Sequence, residues 1–169
     1  MKKILFRIFS VFIIIVIAMF WVLIDAHIAI ADDKDVNYTY SELADADFSH
    51  KDLVKGVFAA ADLRRANFEG ANLSGAIFTK ATLLETNLKD ANLSEILGDR
   101  ATFEGANLTN AIFRDATVTS TNFADAIITG TDFTDSILDR YQVIQLCKYA
   151  DGINPITEVS TRESLNCRD

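Results

Sequence analysis

From Leu43 to Leu138 a large apolar residue returns at every fifth position, and this period excludes both ordinary secondary structures. On a helix, residues five apart advance by about 140°, so the apolar groups would wind around the surface without forming a stripe. On a straight strand they would face opposite sides. Nineteen of the twenty slots are large and apolar, Gly98 being the exception, and every phenylalanine beyond residue 31 occupies one. Two residues before each of these centres the chain is small, most often Ala; only Lys51 and Ile96 break that rule. The residue just before the centre is frequently Asp or Asn, as at Asp62, Asn67, Asn72, Asn87, Asn92, Asn107 and Asn122. A chain with this pattern must turn once per five residues. The small residue and the centre, two apart, then point inward together, and the other three positions face outward. Backbone hydrogen bonds run between successive coils, giving an all-β solenoid with a narrow, filled interior.

The repeats Ala61-Asp62-Leu63-Arg64-Arg65, Ala66-Asn67-Phe68-Glu69-Gly70 and Ala71-Asn72-Leu73-Ser74-Gly75 resemble those of the pentapeptide repeat family. The resemblance implies a right-handed quadrilateral β-helix with one repeat per side and four per coil. Residues 41–140 then form about five coils, a rod of roughly 24 Å at ~4.8 Å per coil. Ile96-Leu97-Gly98-Asp99-Arg100 departs from the pattern at both inward positions, and the Phe/Leu alternation changes phase across it. It reads as a local bulge or a glycine-lined dent. The Asp/Asn positions read as turn stabilisers that hydrogen-bond the local backbone.

The termini are of different character. Residues 1–31 combine Lys2 and Lys3, an apolar run from Ile8 to Ile24, and Ala29-Ile30-Ala31 before Asp32-Asp33. That is the arrangement of a secretory signal peptide cleaved between Ala31 and Asp32, the alternative being an uncleaved membrane anchor. No Arg-Arg pair precedes the run. Residues 32–40 read as an N-terminal lead-in and cap. After Leu138 the period stops and residues 141–169 read as a small helical C-terminal cap. There Asp139 and Gln142 form a capping box, Val143, Leu146, Cys147 and Ala150 share one helical face, Gly152 is a stop, and a second short helix begins at Thr161. Cys147 and Cys167 are the only cysteines, and an even pair in an exported chain reads as a disulfide that staples the cap. The tail from Leu146 to Cys167, with its Thr161-Arg162-Glu163-Ser164-Leu165 run, resembles exported pentapeptide repeat proteins of cyanobacteria and of the chloroplast thylakoid lumen. The resemblance implies a lumenal or periplasmic location and assigns no activity.

Chemistry is sparse. The whole chain carries a net charge of −8, while residues 32–169 carry −10. Without a basic patch, nucleic-acid binding is not expected. His50 is the one histidine beyond residue 31 and lies at an outward position, and no phosphate-loop, zinc or calcium spacing occurs. Neither catalytic residues, cofactor nor metal are expected. With twenty residues per coil, Val57, Ile77, Leu97, Thr117 and Ile137 stack on one side, where other sides mostly carry polar residues. This stripe is a candidate interaction face on a monomer or weak dimer. The expected function is a non-enzymatic, exported, acidic rod that docks unidentified proteins, touching a membrane only through an uncleaved signal segment. The alternative, implied by the resemblance to the pentapeptide repeat family and suited to the acidity, is a DNA mimic that inhibits or protects DNA gyrase, which the signal peptide disfavours.

Overall fold

The computed structural model describes residues 36–168. The signal segment 1–31, its cleavage point at Ala31 and Asp32, and residues 32–35 of the lead-in lie outside the described residues. Within the described chain, parallel bridges join residues twenty apart in unbroken series, such as Asn37 to Val57, Val57 to Ile77, Ile77 to Leu97, Leu97 to Thr117 and Thr117 to Ile137. Four five-residue repeats therefore complete one coil, and five coils follow one another.

One repeat accounts for its backbone as follows. Asp62 N–H donates to Ser41 O in the coil above (2.9 Å), while Leu63 and Arg65 donate to Thr82 O (2.8 Å) and Leu84 O (2.9 Å) in the coil below. Ala66 N–H closes the turn onto Leu63 O at 3.0 Å. The fifth donor, Arg64 N–H, has no backbone acceptor and goes to Asp62 Oδ1 at 3.2 Å. The same local bond forms from Glu69 to Asn67, Lys89 to Asn87, Ser94 to Asn92 and Thr109 to Asn107. The Asp/Asn preference before each centre thus satisfies the one backbone donor that the coils leave over.

The last residue of every repeat from Tyr40 to Asp135 has positive φ, between 53° and 71°. Only Gly70, Gly75, Gly105 and Gly130 take this conformation without a steric penalty. Elsewhere it costs about 1–2 kcal/mol per residue, offset from Tyr40 to Asp115 by the inter-coil bond from that residue's own N–H and by the turn it closes.

Inside, the rings form columns. Tyr38, Phe58 and Phe78 stack on one side, with centroids 5.3 and 5.0 Å apart, and Phe48 and Phe68 stack on the opposite side at 4.8 Å. The columns meet edge to face, Phe58 to Phe68 at 5.7 Å. In the later coils the stacks move to the other two sides, Phe103 on Phe123 at 5.2 Å and Phe113 on Phe133 at 5.3 Å. Where Thr replaces Ala inward, its hydroxyl finds a carbonyl: Thr86 Oγ1 donates to Leu63 O at 2.8 Å and Thr131 Oγ1 to Leu108 O at 2.7 Å.

Two expectations need correction. Residues 36–40 are not a lead-in: Val36-Asn37-Tyr38-Thr39-Tyr40 is a further repeat, bridged from Asn37 to Val57 and packed through Tyr38 on Phe48 and Phe58. Its small slot holds Val and its centre Tyr, which hides it from the five-residue pattern. Nor is there a bulge at 96–100. Leu97 N–H bonds Ala76 O at 3.0 Å and Gly98 N–H bonds Thr117 O at 2.8 Å, so the ladder runs through. Ile96 is fully buried and occupies the space Gly98 leaves: a Cβ on Gly98 would come 3.7 Å from Ile96 Cδ1 and 3.0 Å from Val118 Cγ1. Large and small residues have exchanged places between the two inward positions. No dent remains, and the stack of Tyr38, Phe58 and Phe78 ends here.

At the C-terminus the chain leaves the coil as α1 (Arg140–Leu146) and ends with α2 (Thr161–Ser164). Asp139 and Gln142 form the capping box of α1, and Ser160 Oγ accepts from Glu163 N–H at the start of α2. Leu146, Ala150 and Leu165 are buried with the solenoid core, while Val143 and Cys147 are half-buried. Between the helices, the buried Asn154 donates to Asn110 O (3.0 Å) and Gly130 O (2.9 Å). Its Oδ1 accepts from Ile156 and Thr157 N–H. The Cys147–Cys167 disulfide joins α1 to the end of the chain, with Cα atoms 5.5 Å apart.

Candidate interaction surface

Because repeats stack in register, each outward position becomes a ladder along the rod. On one side Asn87 Nδ2 donates to Asn67 Oδ1 (3.0 Å), and Asn67 Nδ2 to Asp47 Oδ1 (3.2 Å). On another side Asn92 reaches Asn72 (3.2 Å), and Asn72 reaches Asp52 (3.1 Å). A third carries Glu42, Asp62, Thr82, Thr102 and Asn122. On the first two sides these asparagines take their own turn's N–H through Oδ1 and link to the next coil through Nδ2, while on the third Asp62 and Asn122 cap their turns.

The remaining side differs. Val57, Ile77, Leu97, Thr117 and Ile137, singled out from the sequence, form a single bridge ladder behind Asn37. Leu97 is 47% exposed and Ile137 59%, and Val57, Ile77 and Thr117 are half-buried. With coils ~4.8 Å apart, the stripe from Val57 to Ile137 extends about 19 Å. None of the apolar members carries an oxygen, so the turn donors behind them are uncapped, whereas Asp47, Asp62, Asn67, Asn72, Asn87, Asn92, Asn107 and Asn122 cap theirs. That side pairs apolar side chains with uncapped backbone N–H groups.

Electrostatics do not converge on a catalytic centre. The Arg65 guanidinium holds the Asp45 carboxyl below the usual range through a 2.7 Å contact between coils. Asp62 is lowered by the hydrogen bond from Arg64, whose Nη2 lies 2.5 Å away. Asp47 is lowered by the Ser49 backbone N–H, and Asp99 chiefly by the Thr119 hydroxyl and then by Arg100. These are exposed structural contacts on the rod's flanks. His50 is exposed, and among the described residues no group of three or more His, Cys, Asp or Glu could hold a metal ion. Among them, too, no helix is long and apolar enough to cross a membrane.

Sequence reasoning did not anticipate two features. Ile127, 52% exposed, ends the Asp47–Asn67–Asn87–Asn107 ladder, a break visible in the sequence as the one aliphatic residue in that series. The other is a cavity of about 500 Å³ between α1 and the last coil, bordered by Phe123, Asp125, Tyr141 and Tyr149. Only the placement of α1 creates it, so the sequence pattern carries no signal for it.

With this geometry in place, the comparisons with known proteins agree. A family model described as pentapeptide repeats matches the chain in eight copies, over residues 41–79, 57–94 and 101–140. Thylakoid lumenal protein TL20.3, chloroplastic, of Arabidopsis thaliana is 55% identical over 40 residues, which are 24% of this chain and 14% of that protein. Thylakoid lumenal 15 kDa protein 1, chloroplastic, of the same plant is 48% identical over 46 residues, 27% of this chain and 20% of that protein. The matches therefore span a small part of these curated relatives' lengths. The crystal structure of a pentapeptide repeat protein from the Arabidopsis thaliana thylakoid lumen is 41% identical, with a TM-score of 0.74, covering 76% of this chain and 89% of that one. These relatives are lumenal, in line with the exported, lumenal or periplasmic location expected from the sequence.

Proposed function

We propose that this chain, which belongs to the pentapeptide repeat family and so to the right-handed quadrilateral β-helices, is a non-enzymatic rod that docks other proteins along its apolar side. The observation that carries the reading is the contrast between sides. Elsewhere Asp and Asn side chains take most of the turn donors and link neighbouring coils, which leaves a partner less to gain there beyond water exchange. Along Val57, Ile77, Leu97, Thr117 and Ile137, a partner would bury aliphatic surface at about 25 cal/mol per Å² and could reach the uncapped turn donors. The rod's acidity steers positively charged partners toward it and repels other acidic chains. DNA mimicry would need a cytoplasmic protein, whereas the relatives are lumenal.

The test is crosslinked pull-down from the native compartment, comparing the natural protein with an Ile77→Asp/Leu97→Asp variant. Loss of the crosslinked partners, with an unchanged circular dichroism spectrum, supports docking by this side. Partners retained at full yield by a folded variant would place the interface elsewhere.

A further inference from the structure

A solenoid leaves an open strand edge wherever its chain stops coiling. Within the coils, Phe103 N–H donates to Asn122 O at 2.7 Å and Gly105 N–H to Ala124 O at 2.8 Å. One coil further along the same side, Phe123 N–H and Asp125 N–H have no acceptor among the described residues, because the chain has left the coil as α1. The neighbouring Thr121 carbonyl is already satisfied, by Gln142 Nε2 standing in for the N–H that a further coil would supply. The edge therefore offers two donors two residues apart, the alternation with which one extended strand meets another.

The residues that carry these donors line the cavity of about 500 Å³ beneath α1. Phe123 and Leu146 are buried beside it, and Tyr141 and Tyr149, 73% and 45% exposed, stand at its rim. Tyr149 also reaches Phe123 O through its hydroxyl at 3.4 Å. Burial, with a smaller contribution from the Asp125 charge, raises the Tyr149 phenol above its ordinary value and keeps it neutral. One acid, Asp125, and one base, Lys148, line the groove, which suits an uncharged occupant.

We propose that this groove binds an extended, uncharged peptide segment of another protein, added as one further strand to the 121–125 edge, with an aliphatic side chain between the two tyrosines. Its carbonyls accept from Phe123 and Asp125 N–H, and its apolar side chain rests on Phe123 and Leu146. A flat aromatic ligand would use the tyrosines and leave both donors unmet; an extended backbone uses both. The groove is separate from the apolar side, so either can fail without the other.

The experiment titrates isotope-labelled protein with the acetylated, amidated peptide Ala-Thr-Val-Thr-Ser, the sequence of residues 116–120, and follows backbone amides by NMR. Shift changes centred on residues 123–125 are expected, with hydrogen exchange at the Phe123 and Asp125 amides slowed about tenfold at saturation. Tyr141→Ala/Tyr149→Ala should weaken binding about tenfold or more, while Tyr149→Phe and Ile77→Asp/Leu97→Asp leave it unchanged. Unaltered amides at millimolar peptide, or changes confined to other residues, would overturn the proposal. So would the same shifts appearing with protein concentration alone, since the occupant would then be a second copy.

Discussion

Exchanging the anomalous pair at 96 and 98 back to the common pattern tests whether the interior there is filled or dented. Ile96→Ala removes three carbons from a fully buried side chain, about 2.4 kcal/mol of transfer free energy at ~0.8 per methylene. The cavity left, on the order of 80 Å³ at ~24 cal/mol per Å³, adds about 2 kcal/mol, for a loss near 4 kcal/mol. Gly98→Leu alone should cost about 1–3 kcal/mol. Its Cβ already meets Val118 Cγ1 at 3.0 Å, and Ile96 occupies the space its branches need. The double variant adds only one carbon in total and restores Ala at the small slot and Leu at the centre, so it should lie within about 1.5 kcal/mol of the natural protein. The two changes are then coupled favourably by about 3 kcal/mol at least. Urea unfolding followed by circular dichroism measures all four proteins, with a constant m-value as the control for denatured-state effects. Additive losses would refute the exchange. So would a stabilising Gly98→Leu single variant, which would mean that an empty dent lies beside Gly98 after all.

Three further outcomes follow from the cap and the flanks. Cys147→Ala/Cys167→Ala opens a loop with a sequence separation of 20 and should lower the cap's stability by about 3 kcal/mol, read as faster proteolysis after Lys148 and Arg162 with the coil's circular dichroism retained. Asn154→Ala strands the Asn110 and Gly130 carbonyls and should cost about 2–3 kcal/mol, seen as loss of exchange protection at the Gly130 and Thr157 amides. Asp45 and Asp62 have lowered pKa values in the folded chain, so their contribution is complete above the ordinary carboxylate pKa of 3.8 and fades as pH falls through the lower folded values. Stability should therefore be flat near neutrality and decline on the acid side, less steeply in Asp45→Asn and Asp62→Asn, and salt should reduce the difference.

Legibility in the sequence followed how local each determinant is. The coil was readable because one rule, repeated twenty times, fixes which residues point inward, and the apolar ladder follows once twenty residues make a coil. Residues 36–40 escaped because Val36 and Tyr38 satisfy the packing without satisfying the consensus. The Ile96–Gly98 exchange escaped for the converse reason: each position violates the pattern, and only their proximity in space cancels the two violations. The left-handed turn residues were half visible, since Gly70, Gly75, Gly105 and Gly130 advertise them and Lys55, Ala60 and Arg65 do not. Asn154 carries no periodic signal, because its role lies in two carbonyls more than twenty residues away in the chain. The groove under α1 depends on where a helix docks, a tertiary choice with no periodic signature.

The ladders also bear on why one side should serve as the interface. An Asp or Asn before the centre performs a structural task, taking the turn donor, and links coils by donating through an Asn amide or accepting one at an Asp carboxylate. Replacing it with Val, Ile or Leu therefore forfeits about 0.5–1.5 kcal/mol of hydrogen bonding at each coil. Val57, Ile77, Leu97 and Ile137 forfeit it repeatedly, and always on the same side. Their β-propensity recovers part of that loss through packing between coils, and Ile112 and Ile127 illustrate that single exchanges are tolerated on the polar sides. The gathering of four of these six aliphatic residues on one side is what β-propensity alone does not account for, since it would scatter them over all four. A requirement for a continuous apolar strip does account for it. The Ile77→Asp/Leu97→Asp pair separates the two explanations: if packing between coils is the reason, the variant loses stability and keeps its partners, and if docking is the reason, it keeps its fold and loses them.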